Sequence, residues 1–141
     1  MGKLVKNLIA RGCITIKDNA VINELVSLLN HNSVGCVIVL SNTNGKLVGI
    51  ISERDIIRNF SKIIENPDLT VSKVTTSNVI TCSSDTSSKE LMEIVTNNRI
   101  RHVPIIENNE LLGIVSIGDV VNRLIKNYAD ETRHLREYIN S

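Results

Sequence analysis

The sequence predicts an α/β (α+β) fold of two β-α-β-β-α units followed by a C-terminal helical extension, and three observations carry that expectation. A seven-residue stretch occurs twice, as Gly49-Ile50-Ile51-Ser52-Glu53-Arg54-Asp55 and Gly113-Ile114-Val115-Ser116-Ile117-Gly118-Asp119. The blocks upstream of it also match: Val5 with Val71, Ile14 with Ile80, Glu24 with Glu90, Leu25 with Leu91, and Val37 with Val103 at an offset of 66 (103 − 37). Within each block the apolar pattern passes from a short strand through a helix to two strands and a second helix. The motif glycines align at 64 (113 − 49), so the loop before the last strand shortens from Ser41-Asn42-Thr43-Asn44-Gly45 to Glu107-Asn108-Asn109. Loops tolerate such changes.

Taken in order, residues 1–11 are a lead-in, matched by Thr70 to Ser77 in the second block. A short strand around Cys13 to Ile16 follows, and Asp18-Asn19 are suited to cap the next helix. From Ala20 to Asn30, Val21, Ile22, Leu25, Val26, Leu28 and Leu29 recur at three and four residues and mark one buried helical face. The apolar run Val34 to Leu40 is a strand covered on both faces. Asn44-Gly45 supplies a tight turn, Lys46 to Ile51 form the next strand, and Ser52 caps a helix running to about Lys62. Glu65-Asn66-Pro67-Asp68 is the linker, with Pro67 ending the helix before it.

The second block repeats the order: strand Val79 to Cys82, cap Ser84-Asp85, helix Ser87 to Asn97, strand Ile100 to Ile106, strand Glu110 to Val115, helix from Ser116. Pro104 conflicts with its strand, since proline cannot donate to a ladder, and belongs at an edge or where the strand splays. Val120 to Ile139 continue as helix with a loose apolar stripe of Leu124, Tyr128, Leu135, Tyr138 and Ile139, either lying on its own domain or serving as a dimer arm. The division is 1–66, 67–127 and a tail, 128–141.

At 141 residues, 42% hydrophobic, 22% charged and a net charge of +1, the chain reads as an ordinary soluble globular protein. A block of about 65 residues buries only about 60% of its unfolded surface, so the halves are expected to fold as a unit. Nucleic acid is not expected as the main partner, for no concentrated basic face is visible, although Arg133 and Arg136 lie on the last helix. No apolar run suits a signal peptide or a membrane span, and Lys6 stands where a myristoylation motif needs serine or threonine. A cytoplasmic location is the default. Cys13, Cys36 and Cys82 form no C-x-x-C pair, and Cys13 and Cys82 read as small buried apolar residues. His31 and His134 have no partner at metal spacing and read as surface residues, as do Lys62 and Lys73; no metal site is expected.

Two such units, each ending in Gly-apolar-apolar-Ser-x-x-Asp, with Arg101-His102-Val103-Pro104-Ile105-Ile106 before the last hairpin, resemble a tandem pair of cystathionine-β-synthase (CBS) domains, or Bateman module, in a stand-alone CBS domain protein. The likeness covers about residues 5–127. It implies two CBS repeats packed about a pseudo-two-fold axis, with two clefts for adenosine-containing ligands such as AMP, ADP, ATP or S-adenosylmethionine, and no further cofactor. Carried over, it implies that Asp119 accepts from the ribose hydroxyls, Ser116 stands beside the sugar or phosphate, backbone near Ile80-Thr81 holds the adenine, and Arg101 and His102 face the phosphates. Asp55, Ser52 and Ile14-Thr15 take the matching places in the first copy.

The chemistry suits these roles. A carboxylate accepts from both hydroxyls of a cis-diol, a helix start favours an anion, and Gly118 permits close approach. A guanidinium pairs two phosphate oxygens, and a histidine adds charge only when protonated. The first copy has Gly35-Cys36 where the second has Arg101-His102, so with cations drawn from the same copy the Asp119 cleft is expected to bind more strongly, with Cys36 lining the weaker one; the resemblance also implies that basic residues can reach across the pseudo-axis, and Arg54 is nearby. Ser52/Asp55 and Ser116/Asp119 also have the pattern of plain helix caps.

The function expected is therefore a non-catalytic regulatory sensor that signals to a separate effector protein; the alternative is a dimeric scaffold with vestigial clefts. No enzyme is expected, because no serine or cysteine has an evident histidine base and no phosphate-binding G-x-x-x-x-G-K loop is present. Homodimerisation is expected through Ile56, Ile57 and Phe60 with Val120, Val121 and Leu124.

Overall fold

The computed structural model describes residues 3–140; Met1 and Gly2 of the lead-in and Ser141 of the tail lie outside the described residues. The lead-in is a helix, α1 (Lys3–Arg11), with Leu4, Val5 and Leu8 buried on one face. Then come β1 (Thr15–Lys17), α2 (Ile22–Asn32), β2 (Cys36–Leu40), β3 (Leu47–Ser52), α3 (Glu53–Arg58) and α4 (Phe60–Glu65). After a 3-10 turn at Val71–Lys73 the second half has α5 (Ser88–Asn98), β4 (His102–Glu107), β5 (Glu110–Ser116) and the 24-residue α6 (Ile117–Asn140).

The halves are two repeats of one design about a pseudo-two-fold axis. β2 pairs antiparallel with β3, and β4 with β5, with Cys36 opposite Ser52 and His102 opposite Ser116. Each hairpin has its register shift at the same place, Val39/Leu40 and Ile105/Ile106. α2 and α5 both end on a left-handed residue, Ser33 and Arg99, each at φ 52°.

They differ at the first strand. β1 runs parallel to β2, whereas the expected strand Val79 to Cys82 is reduced to one bridge, Cys82 to Ile105. In the first half Ile38 N–H donates to the Ile14 carbonyl at 3.2 Å. Pro104 stands where Ile38 does and has no N–H to give Ile80. Pairing therefore begins only at Cys82, whose N–H donates to Pro104 O at 2.9 Å and whose carbonyl accepts from Ile106 N–H at 2.8 Å. β4 belongs to a two-stranded sheet, so proline stands at an edge as its chemistry requires.

Two expected caps are replaced. Val21 precedes α2 without a side-chain bond, while Asp18 accepts from Asn42 N–H at 3.0 Å and ties down the β2–β3 loop. Ser84 is buried and donates to Glu107, leaving Ser87 to cap α5 through Glu90 N–H at 3.1 Å. The helix after Ser52 breaks at Asn59, whose side-chain amide donates to Asp55 O at 2.7 Å, and resumes as α4.

Each lead-in belongs to the other half's core. Leu4, Val5 and Leu8 pack with Leu91, Val95, Val103, Ile105 and Val115, while Val71 and Val74 pack with Leu25, Val37, Val39 and Ile51. A buried side chain of this size contributes about 1.5–3 kcal/mol. Neither core is complete without the other half, and a cut between residues 66 and 67 does not separate them.

The second lead-in crosses β3 at Gly49. Ile50 and Thr76 exchange both backbone hydrogen bonds at 3.0 Å, and a Cβ on Gly49 would overlap Thr76 O and lie 2.6 Å from Thr75 Cγ2. This glycine is required by close approach rather than by its dihedrals.

Candidate functional site

A cleft of about 450 Å³ opens between the halves. The first half supplies Gly35 and Cys36 from the start of β2 and Ser52, Arg54 and Asp55 from the β3–α3 junction; the second supplies Val79, Ile80 and the run Arg99 to His102. The carboxylate wall and the arginine wall thus come from different repeats.

Ser52 and Asp55 form a reciprocal cap. Asp55 Oδ2 accepts from Ser52 N–H at 2.8 Å and Ser52 Oγ at 3.1 Å, and Ser52 Oγ accepts from Asp55 N–H at 3.4 Å. Among the described residues Oδ1 has only a long contact, with Thr76 Oγ1 donating at 3.4 Å. Capping therefore uses one oxygen and orients the other, so cap and ligand acceptor are compatible roles for one aspartate.

On the opposite wall, burial lowers the pKa of half-buried His102, with Asp119 opposing and Arg101 reinforcing the shift. With its pKa below the ordinary value, this imidazole is neutral at pH 7. Burial, then Asp55, pushes the Cys36 thiol up to about 12. Burial pushes Cys82 up to about 11, and raises half-buried Cys13 against the pull of Arg11. All three thiols are protonated at neutral pH and are poor nucleophiles.

Asp119 lies outside this cleft. Arg11 donates to it through Nη1 to Oδ1 and Nη2 to Oδ2, both at 3.1 Å, and through Nη2 to Ile114 O, also at 3.1 Å. Asp119 and Ser116 still cap α6, with Ser116 N–H donating to Oδ2 at 2.9 Å and Asp119 N–H to Ser116 Oγ at 3.1 Å. Burial would raise the Asp119 pKa, but the bonds from Arg11 and Ser116 together hold it below the usual value.

The expected grouping is thus crossed. Ile80, Arg101 and His102 share a cleft with Ser52, Arg54, Asp55 and Cys36, whereas Ser116, Gly118 and Asp119 do not line it and Asp119 is held by Arg11; His102 borders both, opposite Ser116 and within the field of Asp119. Thr81 is exposed beyond the cleft, Ile14 packs on the first core, and Thr15 lines a second cavity of about 760 Å³ between the two hairpin loops. The reason is the exchange of lead-ins, which carries Ile80 to Asp55.

Sequence reasoning passed over Arg99 and Arg11. Arg99 follows α5 at the left-handed position held by Ser33 in the first half, and alignment of those two residues was its signal. Arg11 ends α1 at the place of Ser77, and no local pattern marks a contact 108 positions away. Among the described residues there is no group of three or more His, Cys, Asp or Glu placed to hold a metal ion, and no helix is long and apolar enough to cross a membrane. Tyr128, Leu135, Tyr138 and Ile139 of the tail are exposed, so it does not lie on its own domain.

Two stretches, residues 5–62 and 71–126, match the CBS domain family. The mitochondrial CBS domain-containing protein CBSX3 of Arabidopsis thaliana is 35% identical over 127 residues, 86% of this chain and 61% of that relative. This chain therefore spans under two thirds of that relative's length. Among solved structures, a CBS-domain containing protein from Agrobacterium tumefaciens superposes with a TM-score of 0.74 at 36% identity, over 84% of this chain and 90% of that one. A CBS domain protein from Pyrobaculum aerophilum, solved in complex with AMP, has a TM-score of 0.72 at 29% identity, over 82% of this chain and 88% of that one.

Proposed function

This chain belongs to the CBS domain family, as a tandem pair, and from that we propose that it is a non-catalytic sensor binding an adenosine-containing ligand in the cleft of Asp55. The observation that carries the reading is the pairing across one cleft of an oriented carboxylate, with Oδ1 open to a diol, and Arg99 and Arg101. Asp55 accepts the ribose hydroxyls, the arginines take the phosphate, and the Ile80 carbonyl, which Pro104 cannot engage, accepts from the adenine amino group. The volume is that of an ordinary small-ligand pocket. Arg54, Arg99 and Arg101 outnumber Glu53 and Asp55 in the cleft lining, and the net positive charge favours AMP, ADP or ATP over the sulfonium cation of S-adenosylmethionine. The absence of catalysis is supported by the protonated thiol of Cys36, the one cysteine in the cleft.

The order of affinity reverses the sequence expectation: the Asp55 cleft is the stronger, because Arg99 and Arg101 reach it from the other repeat. Output passes to a separate effector protein, and a cytoplasmic location completes the reading. Two copies pair through the exposed Ile57, Phe60, Ile64, Val121 and Ile125, with the tail as a dimer arm. Val120 is buried, and Ile56 and Leu124 pack on their own cores, so these three expected interface residues are taken.

Isothermal titration of AMP, ATP and S-adenosylmethionine into the wild type and Asp55→Ala tests the ligand reading. AMP or ATP should bind saturably and the variant should abolish it. Loss of binding in Asp119→Ala but not in Asp55→Ala would refute the assignment, and no heat from any ligand would leave the scaffold reading.

A further inference from the structure

The contact between Arg11 and Asp119 is matched in the first half only by a long bond from a neutral hydroxyl, Thr76 Oγ1 to Asp55 Oδ1 at 3.4 Å. At Ile50 the carbonyl accepts from Thr76 N–H in an extended lead-in. At the matching Ile114 the lead-in is still helical, so its backbone cannot bridge, and the Arg11 guanidinium bonds to that carbonyl instead. α1 holds this position firmly: Leu4, Val5 and Leu8 are buried in the second core, and the helix ends on left-handed Gly12, whose N–H donates to Leu8 O and Ile9 O. One planar fork thus satisfies three acceptors, among them Oδ1, the oxygen that the Ser116 cap leaves open to a diol. The guanidinium brings an opposite charge and two parallel bonds in one plane, whereas a diol brings two neutral donors, so a diol does not displace the fork on equal terms.

We propose that Arg11 is the specificity-determining residue of the second cleft: its guanidinium holds the diol-accepting position at Asp119, so that one chain takes one adenosine ligand, in the Asp55 cleft, and Asp119 becomes a ligand site only when Arg11 is displaced. This rests on the nucleoside reading of the Asp55 cleft. The pair is accessible to competition, since the Arg11 side chain is 52% exposed and that of Asp119 18%. An opened second site is weaker than the first, because Ile38 N–H already occupies the Ile14 carbonyl that matches Ile80 and because Ser33 and Gly35 stand where the first cleft has Arg99 and Arg101. One neutral hydrogen bond corresponds to about fivefold in affinity.

The test is calorimetric titration of AMP into the wild type, Arg11→Ala and Arg11→Gln, the last keeping a donor for Ile114 O should the alanine variant unfold. The wild type should bind one AMP per chain, and each Arg11 variant two, the second at least about fivefold weaker and lost again on adding Asp119→Ala. Two sites in the wild type, or one in both Arg11 variants, would overturn the proposal while leaving the Asp55 reading intact. No binding in any of the chains would overturn both. Carbon-13 carboxyl titration of Asp119 needs no ligand: its midpoint should lie higher in the Arg11 variants than in the wild type, and identical curves would overturn the proposal by themselves.

Discussion

Gly49→Ala should be the most damaging single-methyl change in the chain. The added Cβ would overlap Thr76 O and lie 2.6 Å from Thr75 Cγ2, and neither the backbone nor a β-branched side chain can yield without moving the lead-in. Moving it breaks the two Ile50–Thr76 hydrogen bonds, about 1 kcal/mol each, and strains the seating of Val71 and Val74 in the first core, where misfit costs about 1–3 kcal/mol. The sum is about 3–5 kcal/mol. Gly113→Ala, at the matching site, is the control, because its Cβ would lie 3.4 Å from Leu8 O and 3.5 Å from Ile105 Cδ1, ordinary contact distances. It should change stability by no more than about 1 kcal/mol. Urea unfolding by circular dichroism measures both, and Gly49→Ala should also weaken AMP binding, since Thr76 and Ile80 line the cleft. The two variants unfolding within about 1 kcal/mol of one another would refute the claim that the exchanged lead-in locks the halves together.

Two further predictions follow from the cleft and the outer face. The folded pKa of His102 is lowered by burial, so its neutral form contributes stability above about pH 6.5 that is lost as pH falls towards the folded value. A phosphate beside it favours the imidazolium, so AMP affinity should rise from pH 8 to 6.5, by at most about tenfold per unit, while adenosine affinity stays flat; a flat AMP curve, or one unchanged in His102→Asn, would contradict this. If two copies pair as proposed, Ile125→Glu on the outer face, with Ile125 62% exposed, should give a monomer by light scattering without unfolding the chain, whereas a monomeric wild type would remove the interface altogether.

Much of the fold is a local property and so is legible in the sequence. The spacing of Ile22, Leu25 and Leu29 makes α2 buried on one face, the run Cys36 to Leu40 makes a covered strand, and Ser52 and Ser116 start helices because their hydroxyls meet free N–H groups. Duplication makes each inference twice. Even the lost strand near Ile80 is implicit in Pro104, since the missing N–H is covalent chemistry.

What the sequence by itself determined, then, is the inventory: two repeats, their order, and a set of aspartates, serines and arginines at their ends. Which aspartate faces which arginine was decided only by tertiary structure. Repeat alignment relates Ile80 to Ile14 and Arg101 to Gly35, but it cannot say that each lead-in crosses to the other half. That crossing is set by the fit of Val71 and Val74 into one core and Leu4, Val5 and Leu8 into the other. Because of it Asp55 gains Ile80, Arg99 and Arg101, while Asp119 is held by Arg11, a contact between residues 108 positions apart. Periodicity reports which face of an element is buried; the partner that buries it emerges only when the chain closes on itself.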